Sequence, residues 1–145
     1  MVITFTVILL GLAALVRPLQ RNRFYLLNCA MVIGAAYFVE THYFTAPPFH
    51  WKTLLLLVVF QMVFINITTF AAYGIDKRAA KRGKWRISEN NLHTLEFLGG
   101  WLGAYVAQKI YRHKTSKTSY RRMYKLMIVM EFAAVYVILK LLHLL

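Results

Sequence analysis

The chain has 145 residues, is 59% hydrophobic and carries a formal net charge of +13. Its hydrophobic fraction exceeds the roughly 45–50% usual in soluble domains, and a soluble nucleic-acid-binding protein would have this charge without long apolar runs. The combination predicts a polytopic membrane protein with one strongly basic face. The single cysteine, Cys29, excludes an intramolecular disulfide and a cysteine metal cluster, and is interpreted as a small buried side chain.

Four apolar runs predict four transmembrane helices. In chain order they cover residues 1–16, 24–39, 53–75 and 126–145. A helix needs about 20 apolar residues to cross the hydrocarbon core, with about 17 as a lower limit. The third and fourth runs meet this length. The first two are marginal and would need Arg17 and Arg23 to reach toward the headgroups.

Basic residues orient these spans, because loops rich in Lys and Arg stay in the cytoplasm. The first loop contains Arg17, Arg21 and Arg23, and the third loop, residues 76–125, contains thirteen of the eighteen Lys and Arg. The second loop, residues 40–52, has one Lys and one Glu. The first and third loops are therefore predicted to be cytoplasmic, and both termini to lie outside.

A fifth apolar run, residues 92–107, is not assigned as a span, because crossing would place seven cations on the outer side. Gly99 and Gly100 interrupt it near its middle. We interpret it as two short helical pieces that lie at, or dip into, the cytoplasmic interface. The predicted fold is all-α, with four transmembrane helices and an interfacial or re-entrant helical hairpin between the third and fourth.

Some polar and small residues are predicted to serve packing. In lipid, a polar helical face must turn toward protein, and small residues let helices approach closely. The alternative for the glycines is a backbone that faces a phosphate. Glu131 lies about 8 Å into the last run and needs a partner there, for which an Arg or Lys of the basic loop is the candidate. The structural candidates are Asn66, Tyr73, Gly99, Gly100, Gly103, Ala104 and Glu131.

The third loop has two cationic segments. Residues 77–86 contain six cations, which predicts an anchor to anionic lipid, with specific phosphate binding as the alternative. In residues 111–120, hydroxyls alternate with cations and no carboxylate lies nearby in sequence. This favours a bound anion, and the alternative is a lipid-facing loop capped into the last span by Ser119. The candidate anion-binding residues are Lys77, Arg86, Arg112, Lys114, Thr115, Lys117 and Arg121.

Ser88 is predicted to cap a helix that begins at Glu89. On that helix Glu89, His93 and Glu96 share a face, which is interpreted as a solvated or salt-bridged face, an acid–base site or part of a metal site. For acid–base chemistry, a histidine would move protons and a carboxylate would orient it. The candidate catalytic residues are His93, His113, Glu89 and Asp76. No metal site is assigned, and no cofactor is identified.

Four short motifs follow one another in this half of the chain: Tyr73-x-x-Asp76-Lys77-x-x-Ala80, Arg86-Ile-x-Glu89-x-x-Leu92-His93, Gly99-Gly100-x-x-Gly103-Ala104 and His113-Lys114-Thr115-x-Lys117-x-x-Tyr120. Together they resemble the bacterial membrane-protein family known as domain of unknown function 1294, from about Phe70 to the C-terminus. Members often have Pro where this chain has Ser88. The resemblance implies the bacterial cytoplasmic (inner) membrane, an accessory hairpin at residues 1–52 and a core domain at residues 53–145.

The sequence therefore predicts an integral membrane protein whose basic cytoplasmic loop binds anionic, phosphate-bearing groups, chiefly lipid headgroups. One alternative is a membrane-embedded enzyme that acts on a phosphate-bearing or lipid substrate by His and carboxylate acid–base chemistry. Another is a nucleic-acid-associated membrane protein, since some family members carry a cold-shock domain. The expected partners are a bilayer with anionic lipids, with a phosphate-bearing small molecule, nucleic acid and a homo-oligomer left open.

Overall fold

The computed structural model describes residues 1–44, 47 and 49–141, and within these ranges it contains helices and no strand. This confirms the all-α prediction. The helices are α1 Val2–Leu15, α2 Arg17–Gln20, α3 Arg23–His42, α4 Trp51–Lys81, α5 Glu89–Leu95, α6 Trp101–Tyr111 and α7 Thr118–Leu141, and a π-helical turn, Glu96–Gly100, joins α5 to α6.

Two helices are long and apolar enough to cross a membrane, α3 and α4. The helix α1 has 14 residues and is short for a span. The helix α7 carries Lys125, Glu131 and Lys140 along its apolar part. The last four residues of the predicted fourth span, 142–145, lie outside the described residues. Length and composition thus support association with a membrane but do not confirm four spans.

Helix boundaries differ from the apolar runs, because helices continue into polar sequence. The side chain of Asn22 accepts hydrogen bonds from the backbone N–H groups of Phe24 and Tyr25, so α3 begins at Arg23. The helix α4 continues to Lys81, and α7 begins at Thr118. The predicted loop 76–125 is therefore helical at both ends. The prediction that Ser119 caps the last helix is wrong, because Ser119 lies inside its first turn.

The chain forms two compact units, Met1–Thr68 and Thr69–Leu145, and the division falls within α4. In the first unit, the Tyr25 hydroxyl donates to the Leu9 carbonyl oxygen at 3.1 Å, and Asn28 Nδ2 donates to Gln61 Oε1 at 2.8 Å. Cys29 is buried, as predicted, and Asn66 Nδ2 donates to the Met62 carbonyl oxygen within α4. The predicted domain boundary after residue 52 stays a prediction, because these units are defined by packing alone.

In the second unit, the chain bends between α5 and α6. Gly99 has φ +104°, a conformation that side chains other than glycine rarely adopt. A Cβ on Gly100 would lie 2.1 Å from Thr69 Oγ1 and 2.6 Å from the Leu95 carbonyl oxygen. Gly103 and Ala104 are also buried. The small residues here let the bend pack closely against Thr69 of α4.

Candidate functional site

The site forms where the end of α4, the helix α5, the π-helical turn, the segment 112–117 and the start of α7 meet. Tyr73 and Asp76 are three residues apart on α4 and therefore share one face. Ser88 Oγ accepts a hydrogen bond from the Asn91 backbone N–H at 3.3 Å, so α5 begins at Glu89 as predicted. These local features bring two buried carboxylates, two histidines and a buried lysine into one region.

Asp76 lies at the centre of the first group of contacts, the Asp76 cluster, which comprises Asp76, Arg86, Ile87, His113 and Lys114. The Asp76 side chain is fully buried. Oδ2 lies 2.7 Å from His113 Nε2, 3.3 Å from Arg86 Nη2 and 3.7 Å from Lys114 Nζ. Oδ1 accepts from the Ile87 backbone N–H at 3.1 Å and from Arg86 Nε at 3.4 Å. Donors from two separate segments, residues 86–87 and 113–114, thus compensate one buried charge.

Glu89 holds two lysines of the following segment. Lys114 Nζ and Lys117 Nζ each lie 3.0 Å from Glu89 Oε1, and Lys117 Nζ also lies 2.8 Å from Oε2. The hydrogen bond from Lys117, together with that from Lys114, holds the pKa of the Glu89 carboxyl below its usual value, although partial burial opposes this. The Lys114 side chain is 5% exposed and that of Lys117 is 55% exposed, so the pair reaches from the interior to the surface.

Glu96 is the centre of the second group, the Glu96 cluster, which comprises Glu96, His93, Tyr73, Tyr120 and Gln108. Its side chain is fully buried, and Oε2 lies 2.5 Å from His93 Nδ1. Oε1 accepts from the hydroxyls of Tyr73 and Tyr120, with the Tyr120 contact at 2.9 Å. The two hydroxyls lie 2.6 Å apart, and Gln108 Nε2 donates to the Tyr73 hydroxyl at 3.2 Å. The cluster ties α4, α6 and α7 to the π-helical turn.

Tyr120 and Lys114 connect the two clusters. The His93 and Tyr120 rings lie 4.3 Å apart between centroids, at an interplanar angle of 31°. Lys114 Nζ lies 5.0 Å from the centroid of the Tyr120 ring, a cation–π distance, while it also contacts Asp76 and Glu89. The ionisable groups therefore form one continuous network.

The two histidines have the geometry that acid–base chemistry requires. In each, one ring nitrogen lies within hydrogen-bond distance of a carboxylate oxygen, which fixes the orientation of the ring. Among the described residues, no hydrogen-bond partner is found for the other nitrogen of His93 or His113. Each ring could therefore accept or donate a proton. Within the same residues, no group of three or more His, Cys, Asp or Glu is placed to hold a metal ion.

The structure brings the four candidate catalytic residues together, but not in the predicted pairs. Glu89 turns to the lysines rather than to His93. The face of Glu89, His93 and Glu96 is salt-bridged, one of the two forms predicted for it: His93 contacts Glu96, and Glu89 contacts Lys114 and Lys117. It is not a solvated face, because Glu96 is fully buried and His93 is 8% exposed. The reason is that Tyr73 of α4 and Tyr120 of α7 cover this side of α5.

The candidate anion-binding residues divide into two sets. Arg86, Lys114 and Lys117 contact carboxylates, although no carboxylate lies near the segment 111–120 in sequence. Those carboxylates, Asp76 and Glu89, come from distant parts of the sequence. The remaining candidates lie at the surface, with Lys77 half-buried, and among the described residues they form no ion pair: Lys77, Arg112, Thr115 and Arg121.

Glu131 does not have the cationic partner that was predicted. Within residues 1–44, 47 and 49–141, no Lys or Arg lies within ion-pair distance of it, and its buried Oε2 has no hydrogen-bond partner. Glu96, Gln108 and Tyr120 belong to the site but were not among its predicted residues. Sequence patterns could have identified two of them, because Glu96 shares a helical face with His93 and Tyr120 ends the fourth motif.

Comparison with known proteins places both clusters within one family domain. The family model described as "Protein of unknown function (DUF1294)" matches residues 66–120, a range that includes all residues of both clusters. The "Uncharacterized protein YsdA" of Bacillus subtilis (strain 168) is 37% identical over 76 residues, which cover 52% of this chain and 85% of that protein. No solved structure matches significantly. The chain therefore belongs to the DUF1294 family of proteins of unknown function.

Proposed function

We propose that the chain is an integral membrane protein whose basic cytoplasmic face binds phosphate-bearing anionic groups, chiefly lipid headgroups. The observation that carries the proposal is the surplus of unpaired cations. Residues 76–125 contain thirteen Lys and Arg, and within the described residues only three of these pair with carboxylates. The ten others are Lys77, Arg78, Lys81, Arg82, Lys84, Lys109, Arg112, Arg121, Arg122 and Lys125.

The positions of these cations suit an anionic membrane surface. They lie at the end of α4, around α6 and at the start of α7, and all except Lys77 are exposed. Each cation near an anionic surface contributes about 1 kcal/mol, and the attraction weakens with salt. Trp85, which stands among them, is 97% exposed, and tryptophan favours the level of the headgroups.

Exposed apolar residues support the finer topology of this proposal, in which four helices span the bacterial cytoplasmic membrane. The helices α3 and α4 meet the length and composition of a span. On α7, Val129, Phe132 and Leu141 are 64%, 58% and 74% exposed, so its apolar half is not covered within its own unit. In our proposal α1 and α7 complete the four spans, the termini lie outside and residues 76–125 face the cytoplasm.

Lipid binding to the purified protein in mild detergent tests this proposal. Native mass spectrometry would compare phosphatidylglycerol with zwitterionic phosphatidylcholine at low and high salt. We expect retention of the anionic lipid that falls with salt. Lys81→Gln and Lys125→Gln should each weaken it by about fivefold, because both remove one unpaired cation. Equal binding of the two lipids, or binding indifferent to salt, would refute the proposal.

The paired imidazoles favour a second candidate function, acid–base catalysis on a phosphate-bearing or lipid substrate. His113 Nε2 lies 2.7 Å from the buried Asp76 carboxylate, an arrangement that orients a general base. Incubation of the protein with a bacterial lipid extract, followed by mass spectrometry, tests it. A product made by the wild type should disappear in His113→Gln while anionic lipid still binds. A lipid extract unchanged by the wild-type protein would remove this candidate.

A further inference from the structure

We propose that Lys114 and Lys117 form a binding site for a dianionic phosphomonoester, and that Glu89 occupies this site as an internal substitute for the ligand. The proposal rests on the proposed binding of phosphate-bearing groups and names both the class of group and the residues that select it. It starts from the convergence of two ammonium groups on one carboxylate oxygen, Glu89 Oε1.

The convergence leaves positive charge without compensation. Both ammonium nitrogens lie 3.0 Å from the same oxygen, so they are within twice that distance of each other. Glu89 supplies one negative charge to the two lysines, and the nearby Asp76 charge is shared with Arg86 and His113. Three full positive charges thus face two negative charges, even with His113 neutral. A ligand with two negative charges would balance the pair of lysines better than Glu89 does.

Glu89 can be displaced, whereas Asp76 cannot. The Glu89 side chain is 37% exposed and belongs to the first residue of α5, so it can turn into water. Asp76 is fully buried and is held by donors from two segments, residues 86–87 and 113–114. Lys117 is 55% exposed and opens the pair to a ligand from outside. The exposed hydroxyls of Thr115 and Ser116 lie in the same segment and can donate to phosphate oxygens.

The charge of the ligand decides which phosphates compete. A phosphomonoester carries close to two negative charges at neutral pH, since its second pKa is about 6. A phosphodiester carries one, as Glu89 does, and has no charge advantage over it. The site therefore selects monoester headgroups, or soluble monoesters, over diester lipids.

The experiment titrates purified protein in mild detergent with three probes, using native mass spectrometry. The probes are short-chain phosphatidic acid, short-chain phosphatidylglycerol and glycerol 3-phosphate. We expect the wild type to bind phosphatidic acid more tightly than phosphatidylglycerol. Glu89→Gln should raise the affinity for phosphatidic acid about threefold to tenfold, because it removes the competing carboxylate. Glu40→Gln is the control, because it removes the same charge from the first unit. It should change the affinity for phosphatidic acid by less than about twofold.

A second substitution shows whether the increased affinity of Glu89→Gln for phosphatidic acid depends on the lysine pair. Adding Lys117→Gln to Glu89→Gln should abolish the gain and the preference for the monoester. Lys117 is preferred to Lys114 for this purpose, because Lys114 also contacts the buried Asp76. A gain with glycerol 3-phosphate as well as phosphatidic acid would support a soluble ligand, and a gain with phosphatidic acid alone would support a lipid headgroup.

The outcomes separate this inference from the function on which it rests. If Glu89→Gln and Glu40→Gln act alike, or if the gain survives Lys117→Gln, the phosphomonoester site is wrong, even though anionic lipid still binds. If phosphatidylcholine, added as a fourth probe, binds the wild type as tightly as phosphatidic acid and phosphatidylglycerol do, the proposed function itself is wrong.

Discussion

Asp76→Asn tests whether buried carboxylates hold the second unit together. The substitution keeps the shape of the side chain but removes its charge. It also replaces one carboxylate oxygen, which accepts hydrogen bonds, with an NH₂ group, which only donates them. Removing one partner of a buried ion pair costs about 3–5 kcal/mol, because the other charge is left without compensation. The Arg86 side chain is 49% exposed and can turn to water, so we expect a loss of about 2–4 kcal/mol in the free energy of unfolding.

Glu89→Gln is the matched control for this prediction. It also removes one carboxylate charge and two lysine contacts. The Glu89 side chain is 37% exposed, however, and exposed ion pairs contribute less than about 1 kcal/mol to the free energy of unfolding. Chemical denaturation in mild detergent would measure both variants, and hydrogen exchange would show whether α5 and α6 lose protection in Asp76→Asn. Equal losses in the two variants would mean that burial of Asp76 does not determine its contribution.

Two further predictions concern packing and pH. Gly100→Ala should destabilise the second unit by about 1–3 kcal/mol in thermal unfolding, because the new Cβ would lie 2.1 Å from Thr69 Oγ1. Gly34→Ala is the control: its Cβ would meet nothing within 4 Å, so the substitution should be neutral or stabilising. Equal effects of the two substitutions on stability would contradict the packing argument. The lowered pKa of Glu89 adds stability that is complete above its unfolded-state pKa of about 4.3 and is lost as the pH falls through the folded-state pKa. The wild type should therefore be slightly more stable than Glu89→Gln at neutral pH and should lose this difference below about pH 4.3. A difference in stability that persisted at low pH would contradict a stabilising role of the Glu89 ion pairs.

Local sequence patterns predicted the helices well, and the reasons for the misses are local too. The apolar runs identified α3 and α4, and Ser88 correctly marked the start of α5. Apolarity could not locate the end of α4 at Lys81, because Lys and Arg are good helix formers and the helix continues where the apolar run ends. For the same reason α7 starts before its apolar run, at Thr118.

The candidate site was predicted in its residue types but not in its contacts. His113, Asp76, Glu89 and His93 were predicted because a histidine can move protons and a carboxylate can orient it. Sequence patterns could not pair them, since Asp76 and His113 are 37 residues apart and Glu89 and Lys117 are 28 apart. Helical periodicity relates only residues of one helix, so it joined Glu89 to His93 and missed the contacts between elements.

The acidic residues, rather than the cations, organise this domain. Residues 66–120 contain three carboxylates, and each one joins separate segments: Asp76 joins α4 to the segments around residues 86 and 113, Glu89 joins α5 to residues 114–117, and Glu96 joins the π-helical turn to α4 and α7. The cations consequently form two populations with different expected responses to substitution. Those paired with carboxylates should affect stability and ligand selectivity, whereas the unpaired surface cations should affect attraction to an anionic membrane. A charge-removal series across residues 77–125 that gave one uniform response in both stability and lipid binding would contradict this division.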